Sequence, residues 1–237
     1  MSQHHEAQKA TDHEASTIDH SPHNPPDTSP FVYSPLANPT EEARLLVLKP
    51  KYSSIPGDHI ECSLKHVPLF LLSCFNYEAI SYTWGSLDDG VKEISLGNKR
   101  VNVRTNLWWA LEHLRDDFES RLLWIDALCI DRSNVLERNH QVRQMSQVYR
   151  EASKVLVWLG LAGRKGRAAF DFIINTDAAF LGTQAYRDQY GSSKANLNDL
   201  NAFFSMCERE YWSRPWVVQE IVLAKELMVH WGRNLTT

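Results

Sequence analysis

Apolar residues are sparse before Phe31 and frequent after Arg44, where short apolar runs alternate with amphipathic stretches. Residues 44–49 (RLLVLK) read as a strand. Ile60, Cys62 and Leu64 alternate with polar neighbours, as the residues of a half-buried strand do. Residues 77–84 (YEAISYTW) are rich in strand formers and close at Gly85. Residues 93–96 and 100–103 flank Gly97-Asn98, a pair suited to a tight hairpin turn. Leu107, Ala110, Leu111 and Leu114 then recur at helical spacing, with Thr105 or Asn106 placed to cap that helix.

The second half repeats a simpler rhythm. Residues 122–126 (LLWID) form a short apolar run of buried-strand type. Asn134 and Glu137 stand three apart like a capping box, opening a helix with Val135, Val142, Met145, Tyr149 and Ala152 along one side. Residues 154–160 (KVLVWLG) give another buried strand, followed by a basic glycine-bearing turn and a helix to about residue 180. Residues 182–196 are polar and read as loop, and 197–207 as helix. Ser213-Arg214-Pro215 opens a helix to about residue 224, and 227–231 form a last strand. Strand and helix in alternation predict an α/β fold: a mostly parallel sheet flanked by helices, with extra hairpin strands from the first half.

Composition narrows the function classes. The chain has 237 residues, 43% apolar and 23% charged, with eight tryptophans, which implies one sizeable core. Residues 1–40 hold six of the ten prolines and five of the ten histidines. They read as a disordered acidic tail, with the ordered domain over 42–235. His4, His5, His13, His20 and His23 offer only weak chelation there, so no metal site is expected. The formal charge of −4 sits in that tail, and the rest is neutral. A nucleic-acid footprint is therefore not expected, and no apolar run is long enough to span a membrane. Cys62, Cys74, Cys129 and Cys207 lie far apart, which suits a reducing, cytoplasmic compartment.

Three segments carry candidate chemistry. Asp126 and Asp131 follow a buried strand, where open α/β sheets place ligands; the same residues also suit a turn cap and a helix cap. Cys129 is a candidate nucleophile with His140 as base, or a buried packing thiol. The turn from Gly160 to Arg167 can offer backbone N–H groups to a phosphate, yet it fits neither common phosphate-loop pattern and reads better as a surface turn. Trp216 and Glu220 are four apart on a helix, which would put ring and carboxylate on one face. Such a carboxylate can stabilise a developing cation, or simply face solvent.

These residues also carry a resemblance. Tyr77-Glu-Ala-Ile-Ser-Tyr-Thr-Trp84-Gly85, then Val101-Asn-Val-Arg-Thr-Asn106-Leu107, then Leu123-Trp-Ile-Asp-Ala-Leu-Cys-Ile-Asp131, then Tyr211-Trp-Ser-Arg-Pro-Trp-Val-Val-Gln-Glu220 resemble the successive blocks of the fungal heterokaryon-incompatibility (HET) domain. The likeness spans about residues 42–235. Asp131-Arg132 stands where the family commonly has Asn-Gln. The chain ends soon after Gly232-Arg233, as a short member or a fragment would. The resemblance implies a signalling or effector module in non-self recognition and programmed cell death, acting through protein partners or self-assembly.

The family is in turn similar to TIR domains, which implies a TIR-like, flavodoxin-like fold. That likeness implies an alternative: an NAD nucleosidase with no cofactor beyond NAD as substrate. Glu220 would be catalytic, and Tyr82, Trp84, Gly85, Asp126 and Trp216 would line the substrate site. An inactive decoy is the remaining possibility.

Overall fold

The computed structural model describes residues 29–52, 59–163, 165–175 and 194–236. In chain order the strands are β1 (Glu42–Leu48), β2 (Glu61–Pro68), β3 (Glu78–Tyr82), β4 (Val91–Leu96), β5 (Lys99–Arg104), β6 (Arg121–Trp124), β7 (Lys154–Trp158), β8 (Leu227–Trp231) and β9 (Asn234–Thr236). The helices are α1 (Thr105–Leu114), α2 (Asp126–Cys129), α3 (Val135–Glu151), α4 (Lys165–Asn175), α5 (Lys194–Cys207) and α6 (Val217–Val222). Two 3-10 turns, Leu69–Cys74 and Glu210–Ser213, complete the path.

All nine strands join one sheet in the order β5-β4-β2-β1-β6-β3-β7-β8-β9. It is mixed, not mostly parallel. Only the central β6-β3-β7-β8 block is continuously parallel. β1 pairs antiparallel with both β2 and β6, and the β4–β5 and β8–β9 hairpins close the two edges. The reason lies in the connections. Tight turns force antiparallel pairing in the β4–β5 and β8–β9 hairpins, whereas the central strands from β3 onward are separated by crossovers long enough to hold helices.

The local reading holds at most elements. Gly97 and Asn98 adopt φ of 58° and 63°, the left-handed pair that a two-residue hairpin needs. Leu107, Ala110, Leu111 and Leu114 are buried as one stripe of α1. Alternation along β3 and β7 sends Trp158 towards α1, where its indole donates to Asn106 Oδ1 at 2.9 Å. Trp124 of β6 instead meets Tyr149 of α3, edge to face at 5.4 Å between centroids. Helices thus cover both faces of the central strands.

Three expectations change. No side chain caps α1: Asn106 instead donates to the Thr83 carbonyl, and the Thr105 hydroxyl to that of Asp89. Tertiary partners outcompete the local cap. On α3, Val135 and Val142 are exposed, while Glu137 and Gln141 are buried. Arg44 explains Glu137. Its Nη1 meets Oε1 at 2.5 Å and its Nη2 meets Oε2 at 3.1 Å, in a pair closed off from solvent. Gln141 Nε2 donates to the carbonyls of Pro39 and Glu42.

Those last contacts belong to the third change. Residues 29–40, assigned from composition to the tail, lie against the domain. Leu36 is buried, Tyr33 donates to the Leu128 carbonyl at 3.1 Å, and Arg44 Nη2 donates to the Ser34 carbonyl at 2.7 Å. Two aromatic rings and one leucine, with backbone carbonyls for Arg44 and Gln141, suffice to hold an otherwise polar segment. Residues 1–28, including the five tail histidines, lie outside the described residues, as does most of the predicted 182–196 loop. No helix among the described residues is long and apolar enough to cross a membrane.

Candidate functional site

The central strands create the site by their order. Numbered by sequence among themselves, β3, β6, β7 and β8 lie side by side as 2-1-3-4. The chain leaves β3 for β6 on one side and returns to β7 on the other. Loops leaving the carboxyl ends of β3 and β7 therefore diverge, and open α/β sheets hold ligands in such a crevice. A cleft of about 590 Å3 lies there, between Thr83–Gly85 after β3 and Leu159–Leu161 after β7. Trp109 of α1 and Tyr211 of the second 3-10 turn also line it. Its size is that of a small-molecule pocket. Gly160, at φ 88°, makes room for Arg209: a Cβ there would lie 2.7 Å from Nη2.

Beside the cleft, Trp84 and Asp126 form a second cluster. The Arg132 guanidinium lies 3.9 Å from the Trp84 ring centroid and reaches Asp126 Oδ2 at 2.8 Å. Arg104 sits 5.3 Å from the same ring and donates to the Gly85 carbonyl at 2.7 Å. Burial pushes the Asp126 carboxyl above its ordinary range, against the opposing pull of Arg132. Tyr82 is buried below, and burial raises its phenol well above its usual value. The Asp131-Arg132 pair thus has two separate tasks. Asp131 accepts from the Ser133 N–H, and Arg132 neutralises Asp126 while stacking on Trp84.

Glu220 lies deeper, 1% exposed. Its carboxylate accepts from Arg214 at 3.0 and 3.1 Å and from the Ser81 hydroxyl, which also meets the Tyr211 hydroxyl at 2.5 Å. Burial works against the Arg214 charge, but the adjoining Glu220 carboxylate more than offsets it and raises the guanidinium above its usual value. Tyr211, which lines the cleft, therefore stands between it and Glu220, with Ser81 as the link. Trp216 does not share the burial of Glu220. It occupies the N-cap position of α6 and is 50% exposed. Its backbone is already helical and its carbonyl accepts from the Glu220 N–H at 3.2 Å, so the two stand one turn apart, yet only the carboxylate has Arg214 and Ser81 to meet it inside.

Of the six residues singled out in sequence, Gly85 lines the cleft directly. Tyr82, Trp84 and Asp126 gather beside it, Glu220 sits behind it, and Trp216 is half exposed and not part of its lining. Cys129 is fully buried, its Sγ accepts from the Ile125 N–H at 3.4 Å, and burial pushes the thiol up to about 12. That is a packing group, not a nucleophile. Trp109, Arg104, Arg209 and Arg214 carry no such signal in the sequence. Trp109 and Arg104 lie on or beside the helix stripe, and only the fold turns them towards the crevice. No group of three or more His, Cys, Asp or Glu side chains among the described residues could hold a metal ion.

Comparison with known proteins agrees with the four sequence blocks. The family model described as heterokaryon incompatibility protein (HET) matches residues 77–220, well over half of the chain. Heterokaryon incompatibility protein 6, OR allele, of Neurospora crassa is 26% identical over 85% of this chain and 35% of its own length. Vegetative incompatibility protein HET-E-1 of Podospora anserina is 30% identical over 35% of this chain and 6% of its own. The chain thus spans about a third or less of the length of these relatives. No solved structure matches it. The matched segment runs from β3 through α6 and contains the strands, loops and carboxylates of the crevice: this chain belongs to the heterokaryon incompatibility (HET) family.

Proposed function

We propose that this chain is the effector module of a fungal heterokaryon-incompatibility protein, acting in non-self recognition and programmed cell death. The observation that carries the reading is the family match over residues 77–220, supported by relatives named for heterokaryon and vegetative incompatibility. The module works in the cytoplasm, over residues 42–235, through protein partners or self-assembly. Inducible expression of the full chain in a filamentous fungus tests this. Growth arrest with cell death is expected. Normal growth at high expression would overturn it.

A second reading, a TIR-like NAD nucleosidase, is favoured by one specific observation. The central order 2-1-3-4 matches that of flavodoxin-like sheets, and a cleft of ligand size sits at the reversal point. In that reaction the bond between nicotinamide and ribose breaks, nicotinamide leaves with the bonding electrons, and water adds to the ribose. The transition state is positive at the ribose, where a carboxylate lowers its energy. Glu220 would serve only once Arg214 releases it, because both carboxylate oxygens are engaged. Tyr82, Trp84, Gly85 and Asp126 would then border the substrate. NAD loss in concentrated full-length protein, compared with Glu220→Gln, tests this reading. Equal loss in both, or none in either, would reject it and leave the module or an inactive decoy.

A further inference from the structure

The crevice between the β3 and β7 loops is unbalanced in charge and in hydrogen-bonding capacity. Three carboxylates, Asp89, Glu208 and Glu210, stand on its lining against one base, Arg209. Arg209 turns two of its five N–H groups inward: Nε and Nη2 both donate to the Leu159 carbonyl, at 3.0 and 2.7 Å. Asn106 uses its amide on the Thr83 carbonyl and its oxygen on the Trp158 indole. The Ser86 N–H donates to Asp89 Oδ2 at 3.2 Å. The protein itself thus uses part of the donor capacity that would otherwise grip a phosphate or carboxylate, and the three carboxylates outnumber the one guanidinium.

Acceptors remain. Asp89, Glu208 and Glu210 are exposed at the rim, and the Thr105 hydroxyl keeps its lone pairs after donating to the Asp89 carbonyl. The wall beside them is the indole of Trp109. This ring already receives one cation: Lys92 Nζ lies 4.2 Å from its centroid and 3.8 Å from that of Trp108. An indole favours a positive group over its face, and a carboxylate favours one carrying N–H donors. Phosphate meets like charge in the same place.

We propose that this cleft binds a small organic cation whose charge is flat, delocalised and rich in N–H donors, of the amidinium or guanidinium type. The ring or plane of the ligand lies on Trp109, and its N–H groups meet the rim carboxylates. The assignment goes beyond the effector reading and competes with the nucleosidase reading, because NAD would bring its pyrophosphate to the same carboxylates.

Calorimetric titration of the full chain at low salt with benzamidine, benzamide and benzoate tests the proposal, because the three probes share a ring and differ in charge. Benzamidine is expected to bind at least tenfold more tightly than benzamide, and benzoate to give no binding. The double variant Glu208→Gln, Glu210→Gln changes only exposed side chains. It should weaken benzamidine at least tenfold with an unchanged circular dichroism spectrum. Trp109→Leu should weaken it similarly. Folded native chain that does not take up benzamidine, binds benzoate as well, or loses nothing in the double variant would overturn the assignment. A failed cell-death assay would leave these titrations unaffected, so the two readings fail separately.

Discussion

Arg214 holds Glu220 in a two-pronged grip, Nη1 to Oε2 at 3.1 Å and Nη2 to Oε1 at 3.0 Å, with the carboxylate almost closed off from solvent. The pair ties the approach to α6 onto the middle of the sheet, because Ser81 of β3 joins it from below. Geometry of this kind favours Arg over Lys, since only the planar fork satisfies both oxygens at once.

Removing one partner leaves the other as an unpaired buried charge. Arg214→Ala is therefore expected to cost about 3–5 kcal/mol of stability. Glu220→Gln retains an acceptor for Ser81 and leaves a half-exposed Arg214 that can turn to water, so it should cost less. Urea denaturation of both variants checks the order. Equal losses would mean that a lone Arg214 guanidinium costs the fold as much as a lone Glu220 carboxylate, against this prediction.

Trp124 is fully buried against Tyr149, and its indole N–H has no hydrogen-bond partner among the described residues. Trp124→Ala should lose about 3–5 kcal/mol, as large aromatic deletions do. Trp124→Phe removes an unsatisfied donor along with the second ring, and the relief offsets part of the cavity. Its loss should be less than half that of the alanine variant. Thermal melts of the two, side by side, decide it.

His230 gives the fold an acid limb. Burial first, then Arg121 and His113, lowers its imidazole from 6.5 to about 4. The folded state resists a proton that the unfolded chain accepts. Stability is thus full above pH 6.5, falls as pH drops towards 4, and then levels, by about 3 kcal/mol in all. His230→Leu should flatten this limb. Denaturant titrations at half-unit pH steps from 7.5 to 4 would reveal it, and an unchanged slope in the variant would refute the assignment to His230.

Truncation tests the segment that packs as a strap against the domain. Removing residues 1–38 deletes Leu36, the Tyr33 hydroxyl and the Ser34 carbonyl that serves Arg44. One buried leucine and a few hydrogen bonds correspond to about 2–4 kcal/mol. A clear fall in melting temperature is expected. A chain lacking residues 1–38 that melts with the full chain would show that the strap contributes nothing.

Much of the central sheet is legible in the linear pattern of the chain. The runs at Tyr77, Leu122 and Val155 are too apolar and too short to be anything but buried strands, and all three pair in parallel. The stripe from Leu107 to Leu114 is a buried helix face as its spacing says. The site is less legible. Gly85, Trp84 and Asp126 stand out because they follow strand ends, a local cue. Trp109, Arg209 and Arg214 lack one, since each belongs to a segment whose pattern speaks only of helix or loop, and Arg104 ends an edge strand far from Trp84 in sequence.

The linear pattern carries the longer elements and the family, because apolar period, turn chemistry and four ordered blocks are all local signals; the short α2, β9 and the two 3-10 turns left no such mark. Which polar residues go inside is a matter of tertiary contacts. Glu137 and Gln141 sit on a helix face that composition would give to solvent, yet Arg44 and the strap carbonyls satisfy them there. Glu220 and Trp216 stand one helical turn apart but not in one environment, because Arg214 and Ser81 hold the carboxylate inside while the Trp216 ring has half its surface in water. Burial of a polar group depends on a partner distant in sequence, and no local pattern records where that partner will be.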